Sequence, residues 1–298
     1  MPLNDLPKIS SPPTGFVVIG GGKTGMDACL WLLQNKVNPD KITWIVSRDA
    51  WLIDRKNTQP TMDFCENFIE TQAAQFEALA QADSISDLFD RLETAGVLLR
   101  LDKNVRPKMF HGATVSQMEL EELRRIKNVV RMGHVMSIEK NQIILKKGSI
   151  PTLPTHVHVD CSASAITNLE TKPIFETDLI TPQTVRSYQP VFSAAFIAHV
   201  EAAYEDVKKK NDLCNVVPLP NHDTDWLKMM AIMMMNQFKW SQDKALRRWL
   251  VDNRLDGFSR LLRQISKEDI AKQAILKRMR NNAMPAMVKL QQLIAEIK

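Results

Sequence analysis

Several features that would assign a protein to a common class are absent from this chain. No apolar run approaches the roughly 18 residues needed to cross a bilayer, so we expect no membrane span. The N-terminus has no basic patch followed by an apolar stretch, which argues against a secretory signal. The four cysteines form no CxxC pair, which excludes a zinc ribbon and a sequence-adjacent redox dithiol. Reduced thiols in a cytoplasmic protein are the simplest interpretation.

The composition is that of a globular protein. Hydrophobic residues make up 44% of the 298 residues and charged residues 24%, so the chain can bury a core and is too apolar for disorder to be its main state. The length predicts one large domain or two ordinary ones. The net charge of +5 is uneven, since residues 244–298 hold 13 basic and 5 acidic groups, against 26 and 29 in the rest.

The first 50 residues follow the pattern of a β-α-β unit. Residues 16–19 form a short apolar run typical of a strand buried on both faces. A helical pattern then extends to about Asn35, with Met26 and Leu30 among its apolar positions, and Pro39 ends it. Residues 42–46 form a second buried-type strand. This order predicts an α/β fold with a parallel sheet, and a Rossmann-like three-layer nucleotide-binding domain.

The rest of the chain suggests a helical insertion and a helical C-terminal region. Residues 62–95 carry a mostly helical pattern, and Ser116 opens a capping box before a short helix to about Ile126. Alternation around Asn141 predicts a hairpin, and residues 156–160 predict another strand. We therefore expect a lead-in (1–14), a nucleotide-binding domain (15–165) with a helical insertion at about 60–128, and a mainly helical region (166–298).

The candidate cofactor loop follows the first strand and fits the pattern G-x-G-x-x-G. It consists of Gly20, Gly21, Gly22, Lys23, Thr24 and Gly25. In a dinucleotide-binding loop the first glycine permits a tight turn, the second lets the backbone approach a pyrophosphate, and the third lets the helix pack closely on the sheet. The helix N-terminus would then face the phosphates. The alternative is a glycine-rich turn that binds no ligand.

The end of the second strand bears on which nucleotide would bind. Strands of this kind usually end in Asp or Glu when the cofactor is NAD or FAD, because the carboxylate accepts hydrogen bonds from the ribose 2′-hydroxyl. This one ends in Val46-Ser47-Arg48, and Asp49 lies one residue further. A guanidinium can bind a 2′-phosphate, so Ser47 and Arg48 favour NADP(H) over NAD(H). The alternative is that Arg48 is an ordinary solvated loop residue.

The runs VVIGGGKTGMDACLWLL (17–33) and ITWIVSRDAW (42–51) resemble the NADPH-binding domain of a known group of flavoproteins. The group comprises FAD/NAD(P)-binding oxidoreductases similar to flavin-containing monooxygenases and pyridine nucleotide-disulfide oxidoreductases. Segments 109–126, 156–165 and 189–202 also resemble that group, and the likeness spans about residues 3–230.

The resemblance implies an order of FAD-domain first half, NADPH domain, and FAD-domain second half. This sequence contains a single G-x-G-x-x-G, and the FAD loop that would precede it is missing, so we expect this chain alone not to bind FAD. Two functions stay open. One is an NADPH-dependent flavoprotein-type oxidoreductase, with monooxygenase-like chemistry as one form, or the NADPH-binding part of such an enzyme. The other is a non-catalytic NADP-binding or scaffold protein, one half of a split enzyme. A separate FAD-binding half or a homo-oligomer is the expected partner.

Other candidate residues favour structural roles. His156 and His158 would share one face of a strand, but no third metal ligand is evident, so we expect no metal site. Cys161 lacks an identifiable base and is not expected to act as a nucleophile. The basic tail shows the spacing of amphipathic helices without a nucleic-acid motif; a solvated helical face is favoured over an anionic partner or membrane surface. No catalytic residue is identified.

Overall fold

The structure is a computed structural model, and it describes residues 1–164 and 170–297. The fold is mixed α/β. The strands are β1 (Gly15–Ile19), β2 (Ile42–Ile45), β3 (Ala50–Asp54), β4 (Leu98–Leu99), β5 (Met109–Val115), β6 (Val129–Val130), β7 (Val135–Ile138), β8 (Gln142–Leu145), β9 (Gly148–Pro151) and β10 (His156–Asp160). The helices are α1 (Lys23–Gln34), α2 (Cys65–Gln81), α3 (Ile85–Thr94), α4 (Gln117–Leu123), α5 (Pro190–Ala203), α6 (Val207–Leu213), α7 (Asp225–Gln242), α8 (Lys244–Asp252), α9 (Gly257–Arg263) and α10 (Ile270–Ala295).

The chain divides into two compact units, each built from two stretches of sequence. The first unit contains residues 1–54 and the described residues from 99 to 164. The second contains residues 55–98 and the described residues from 170 to 297. The sequence had suggested one boundary near residue 165, which lies outside the described residues. The helical pair α2 and α3, expected within the nucleotide-binding domain, groups with the C-terminal helices because α2 packs along α10.

The first unit is organised around a parallel sheet. Within the described residues this sheet has four strands in the order β10-β1-β2-β6, all parallel to their neighbours. Val18 of the central strand pairs with Trp44 on one side and with Val159 on the other. The predicted parallel pairing of residues 16–19 with the second strand is confirmed, and that strand ends at Ile45, one residue earlier than expected.

Both faces of this sheet are covered, which explains why the central strand β1 is buried at every position. Val18 and Trp44 point into a core shared with Leu30 of α1, and all three are buried. On the opposite face, Val17 packs with Ile143 of β8, a strand of the antiparallel sheet β7-β8-β9. Strands buried on both sides read as continuous apolar runs because alternate side chains enter different cores.

The segment expected to be a helical insertion at about 60–128 also contains strands. β3 and β5 pair in parallel, with Trp51 opposite Phe110, and both side chains are buried. Only four residues separate Ile45 from the apolar run of β3, so the sequence pattern alone did not separate β3 from the second strand. The capping box at Ser116 is present, and its helix α4 ends at Leu123, three residues before the expected Ile126.

The N-terminal lead-in is more ordered than expected. Residues 3–8 form a 3-10 helix whose Leu6 is only 1% exposed and joins the core of the first unit. The backbone N–H of Asp160 donates to the carbonyl of Met1 at 2.8 Å, so the first residues lie beside the outer strand β10. Burial of Leu6 supplies the free energy that an isolated 3-10 helix lacks.

The second unit is helical in its described residues. Helix α10 runs along α2, where Arg278 donates to both Glu70 and Glu77 at 2.7–2.9 Å. Helix α7 carries five methionines, of which Met229 and Met230 are buried, while Met235 is 41% exposed. Across the part of the chain that the structure describes, no helix combines the length and apolar character needed to cross a membrane.

A buried ion pair lies in the second unit. The side chains of Arg186 and Asp256 are 6% and 1% exposed, and Arg186 Nη1 donates to Asp256 Oδ1 at 3.1 Å. The guanidinium stands over the ring of Phe192 at 3.8 Å, and burial lowers the pKa of Arg186. Asp256 also caps α9 by accepting from the N–H of Ser259. One carboxylate therefore balances a buried cation and begins a helix.

Candidate functional site

The candidate site lies at the carboxyl edge of the parallel sheet. Because β1, β2 and β10 are parallel, they end at the same edge, where Ile19 is paired with Ile45 and with Asp160. The glycine loop leaves β1 at this edge, and the segment containing Ser47 and Arg48 leaves β2 beside it. The fold therefore brings together two groups of residues that the sequence singled out separately.

Gly20 occupies a position that only glycine fits. Its φ is +132°, a conformation that residues with a side chain rarely adopt, and a Cβ would lie 2.3 Å from the carbonyl oxygen of Cys161. Its N–H donates to the carbonyl of Ile45 at 2.9 Å. Its own carbonyl accepts from the indole Nε1 of Trp44 at 2.8 Å. The turn is thus fixed from three directions by β2 and by the end of β10.

Gly25 and Gly21 allow close packing around this turn. A Cβ on Gly25 would lie 2.0 Å from the carbonyl oxygen of Gly20, so helix α1 approaches the turn more closely than any side chain permits. A Cβ on Gly21 would lie 2.8 Å from Val46 Cγ1 and 3.1 Å from the carbonyl oxygen of Arg48. The glycine loop and the backbone of the segment after β2 are therefore in contact.

Gly22 differs from the other glycines of the loop because it faces open space. A Cβ built there meets no described atom within 4 Å, and its φ of −82° is ordinary for any residue. Gly22 is the N-cap of α1, so the N–H groups of the first helical turn begin beside it. A helix N-terminus with an open approach is a favourable place for a phosphate group.

The two polar residues of the loop differ in their surroundings. Lys23 is half-buried and forms an ion pair with Asp27, one turn further along α1. Thr24 is exposed at the start of the helix. The Lys23 ammonium is therefore shared with a carboxylate, which leaves the backbone N–H groups as the main donors of the loop.

Ser47 and Arg48 lie in the segment between β2 and β3, and both are half-buried. A half-buried guanidinium at the edge of the sheet has a lower-dielectric surrounding than one in open solvent, which strengthens its attraction for an anion. The position of Arg48 beside the glycine loop is compatible with the predicted contact to a 2′-phosphate, which stays a prediction.

Sequence reasoning missed Arg131, which binds the carboxylate next to Arg48. Arg131 directly follows β6 and donates to both oxygens of Asp49, at 2.9 Å from Nε and 3.1 Å from Nη2. The Asp49 side chain is only 7% exposed. These hydrogen bonds raise the pKa of Arg131. The only sequence signal for this contact is that Arg131 follows the apolar pair of β6, and a two-residue strand is too short to recognise from the sequence.

Cys161 lies behind the glycine loop, at the end of β10. Burial is the main reason that the pKa of its thiol is raised to about 11, so the thiol stays protonated at neutral pH. A protonated thiol is a poor nucleophile, in keeping with the expectation from the sequence. Its backbone has a structural role, because the Cys161 N–H donates to the carbonyl of Ile19 at 2.8 Å.

The two histidines of β10 share a hydroxyl partner. Thr152 Oγ1 lies 2.8 Å from His158 Nε2 and 3.3 Å from His156 Nδ1. Burial and the neighbouring His156 lower the pKa of His158. Among residues 1–164 and 170–297, no three His, Cys, Asp or Glu side chains are grouped so as to hold a metal ion.

The basic C-terminal region presents its charges to solvent. Lys244, Arg247 and Arg248 are exposed on α8, and with Arg263 they line an open cleft. Arg248 approaches Asp252 at 3.6 Å on the same helix. These positions suit the solvated helical face that the sequence favoured, and an anionic partner or membrane surface stays the less favoured alternative.

Comparison with known proteins identifies relatives without a described activity. The chain is 50% identical over 273 residues to uncharacterized proteins of Mycobacterium bovis and of two strains of Mycobacterium tuberculosis. The match covers 92% of this chain and 51% of each relative, so the chain spans about half the length of the curated relatives it matches. No family model and no solved structure matches the chain.

Proposed function

We propose that the first unit is the NADPH-binding part of a flavoprotein-type oxidoreductase. The observation that carries the proposal is the loop Gly20–Gly25, which joins the central parallel strand to a helix and leaves Gly22 open to solvent. NADPH bound there would supply a hydride for reduction of a flavin. The function of the chain's own residues is to bind and orient the nucleotide.

The order of the strands supports a Rossmann-like fold. Numbered by their order along the chain, the strands of the parallel sheet run fourth, first, second and third across the sheet. This is the arrangement of the first four strands in dinucleotide-binding folds. In such sheets the ligand binds outside the carboxyl ends of the strands, at the point where the strand order reverses. The glycine loop lies at that point.

Each residue of the proposed site has a distinct task. The N–H groups at the start of α1 would donate to the pyrophosphate, and Gly22 would keep its approach clear. Arg48 would donate charge-assisted hydrogen bonds to the 2′-phosphate, and Ser47 would add a hydroxyl donor. No proton transfer by a side chain is required, because the transferred group is a hydride.

The flavin belongs outside these 298 residues in this proposal. The sequence contains a single G-x-G-x-x-G, and the resemblance assigns that loop to the NADPH domain. The relatives are about twice as long as the matched region, which leaves room for a flavin-binding half. Whether that half is joined to this chain or is a separate protein distinguishes an enzyme domain from one part of a split enzyme.

The proposal is tested by calorimetric titration of the chain with NADPH. We expect wild type to bind, and we expect Gly22→Val to lose most binding while keeping its fold, because the branched side chain would occupy the space of the phosphates. Gly22→Ser is the matched control, since a small hydroxyl side chain can cap the helix while filling far less of that space. Unchanged NADPH affinity in Gly22→Val would contradict the proposal.

The non-catalytic alternative is tested by a second measurement. A non-catalytic scaffold half would bind NADPH but would not reduce flavin, whether or not an FAD-binding partner is present. Addition of FAD and NADPH to the chain, followed at the flavin absorption band, is expected to give no reduction for the chain alone. Reduction by a longer relative carrying the same loop would assign the catalytic function to the whole protein.

A further inference from the structure

Asp49 has the residue type that dinucleotide-binding folds use to select NAD. It lies four residues past Ile45, in the segment that leaves the second strand beside the glycine loop. In dinucleotide-binding folds a carboxylate near the end of this strand accepts from a ribose 2′-hydroxyl. A free carboxylate there would also repel a 2′-phosphate. The segment therefore holds two side chains with opposite preferences, Arg48 for NADPH and Asp49 for NADH.

The structure shows that the Asp49 carboxylate is already bound by another side chain. Both of its carboxylate oxygens accept hydrogen bonds from the guanidinium of Arg131, and the side chain is 93% buried. A bidentate pair of this kind fixes the carboxylate in orientation as well as in charge. The backbone carbonyl of Asp49 is also occupied, because it accepts from the N–H of Lys108 at 3.2 Å.

Arg131 is itself held in place. Its Nη2 lies 3.4 Å from Asp102 Oδ2, and Asp102 is fixed by accepting from the N–H of Asn104 at 2.9 Å. The Arg131 side chain is 27% exposed, so it reaches the surface at the same end of the sheet as Asp49. Strand β6 delivers Arg131 to this position by pairing with β2, with Val130 opposite Ile45.

We propose that Arg131 is a positioning residue for nucleotide choice, which keeps Asp49 turned away from the ribose and so makes the site selective for the 2′-phosphate. This inference rests on the proposed function. It assigns the selectivity to two arginines with different tasks. Arg48 attracts the 2′-phosphate, and Arg131 binds the Asp49 carboxylate that would otherwise repel that phosphate.

The test compares NADPH and NADH binding by calorimetry in wild type, Arg131→Met, Asp49→Asn and the double variant. Arg131→Met releases the carboxylate, so the ratio of NADPH to NADH affinity should fall at least tenfold, equivalent to about 1.4 kcal/mol. The double variant has no carboxylate to release, and the ratio should return towards that of wild type. Arg131→Lys keeps a cation beside Asp49 and should retain most of the preference.

The outcomes separate this inference from the proposed function. If wild type binds neither nucleotide, the proposed function fails. If wild type prefers NADPH but Arg131→Met weakens both nucleotides equally, or if the loss of preference persists in the double variant, only the inference is overturned. Should Arg131→Met fail to fold, Arg131→Gln replaces it, because the polar amide suits the half-buried position but has neither the charge nor the paired donors that hold Asp49 in place. An unchanged ratio in a folded Arg131→Gln would overturn the inference.

Discussion

Gly25→Ala should destabilise the protein much more than Gly22→Ala, although the two positions lie only three residues apart. A methyl group on Gly25 would be 2.0 Å from the carbonyl oxygen of Gly20. That oxygen cannot move away easily, because Trp44 Nε1 donates to it at 2.8 Å and the Gly20 N–H is bonded to β2. A methyl group on Gly22 meets nothing within 4 Å.

The size of the effect follows from these contacts. Overpacking a close-packed position costs about 1–3 kcal/mol, and the fixed oxygen argues for the upper end of that range. Replacing glycine by alanine in a helix returns at most about 1 kcal/mol. Gly25→Ala should therefore lose about 2 kcal/mol of unfolding free energy, which lowers Tm by roughly 4–8 °C. For Gly22→Ala we expect a loss of about 1 kcal/mol or less, because alanine is only a poorer N-cap.

Thermal unfolding followed by circular dichroism measures both variants, and NADPH titration of the folded proteins completes the comparison. Equal Tm values for Gly25→Ala and wild type would show that α1 does not approach the turn as closely as described. A large loss of stability in Gly22→Ala would show that this position is not open, and the argument for a phosphate approach there would fail with it.

Three further outcomes can be measured. Arg48→Ala should weaken NADPH binding about 10- to 100-fold and leave NADH nearly unchanged, since a charged hydrogen bond contributes about 1.5–3 kcal/mol; equal weakening of both nucleotides in calorimetry would refute the contact. Asp256→Asn should lower the unfolding free energy in urea by about 3–5 kcal/mol, because it leaves Arg186 charged and buried. The hydrogen bond from Arg278 lowers the pKa of Glu77 below 4.5, so this stabilisation is present above that pH and lost as pH falls further. Arg278→Gln should cost about 1 kcal/mol at pH 7 and less in acid; a cost independent of pH would contradict this.

The sequence was informative wherever one local pattern had one physical meaning. The apolar run at 16–19, the glycine loop and the second strand predicted the parallel pairing that β1 and β2 form. The capping box at Ser116 likewise predicted the start of α4. In these cases the residues that determine the structure are neighbours along the chain, so their spacing carries the information.

The partners of the site could not be predicted because they come from distant parts of the chain. Arg131 reaches Asp49 across 82 residues, and it does so only because the two-residue strand β6 joins the parallel sheet. Nothing in the sequence around Asp49 indicates that its carboxylate is buried. The contact between Gly21 and the backbone of Arg48 also depends on strand pairing, which a sequence alone does not reveal.

The pairing of α2 with α10 has a consequence for synthesis of the protein. Arg278 binds acidic residues that precede it by 201 and 208 positions, so α2 leaves the ribosome long before the helix that covers it has been made. Contacts between such distant segments form slowly and leave apolar surface exposed in the meantime. The second unit should therefore mature only after α10 has left the ribosome, and truncation before residue 270 should give a product that chaperones retain or proteases remove.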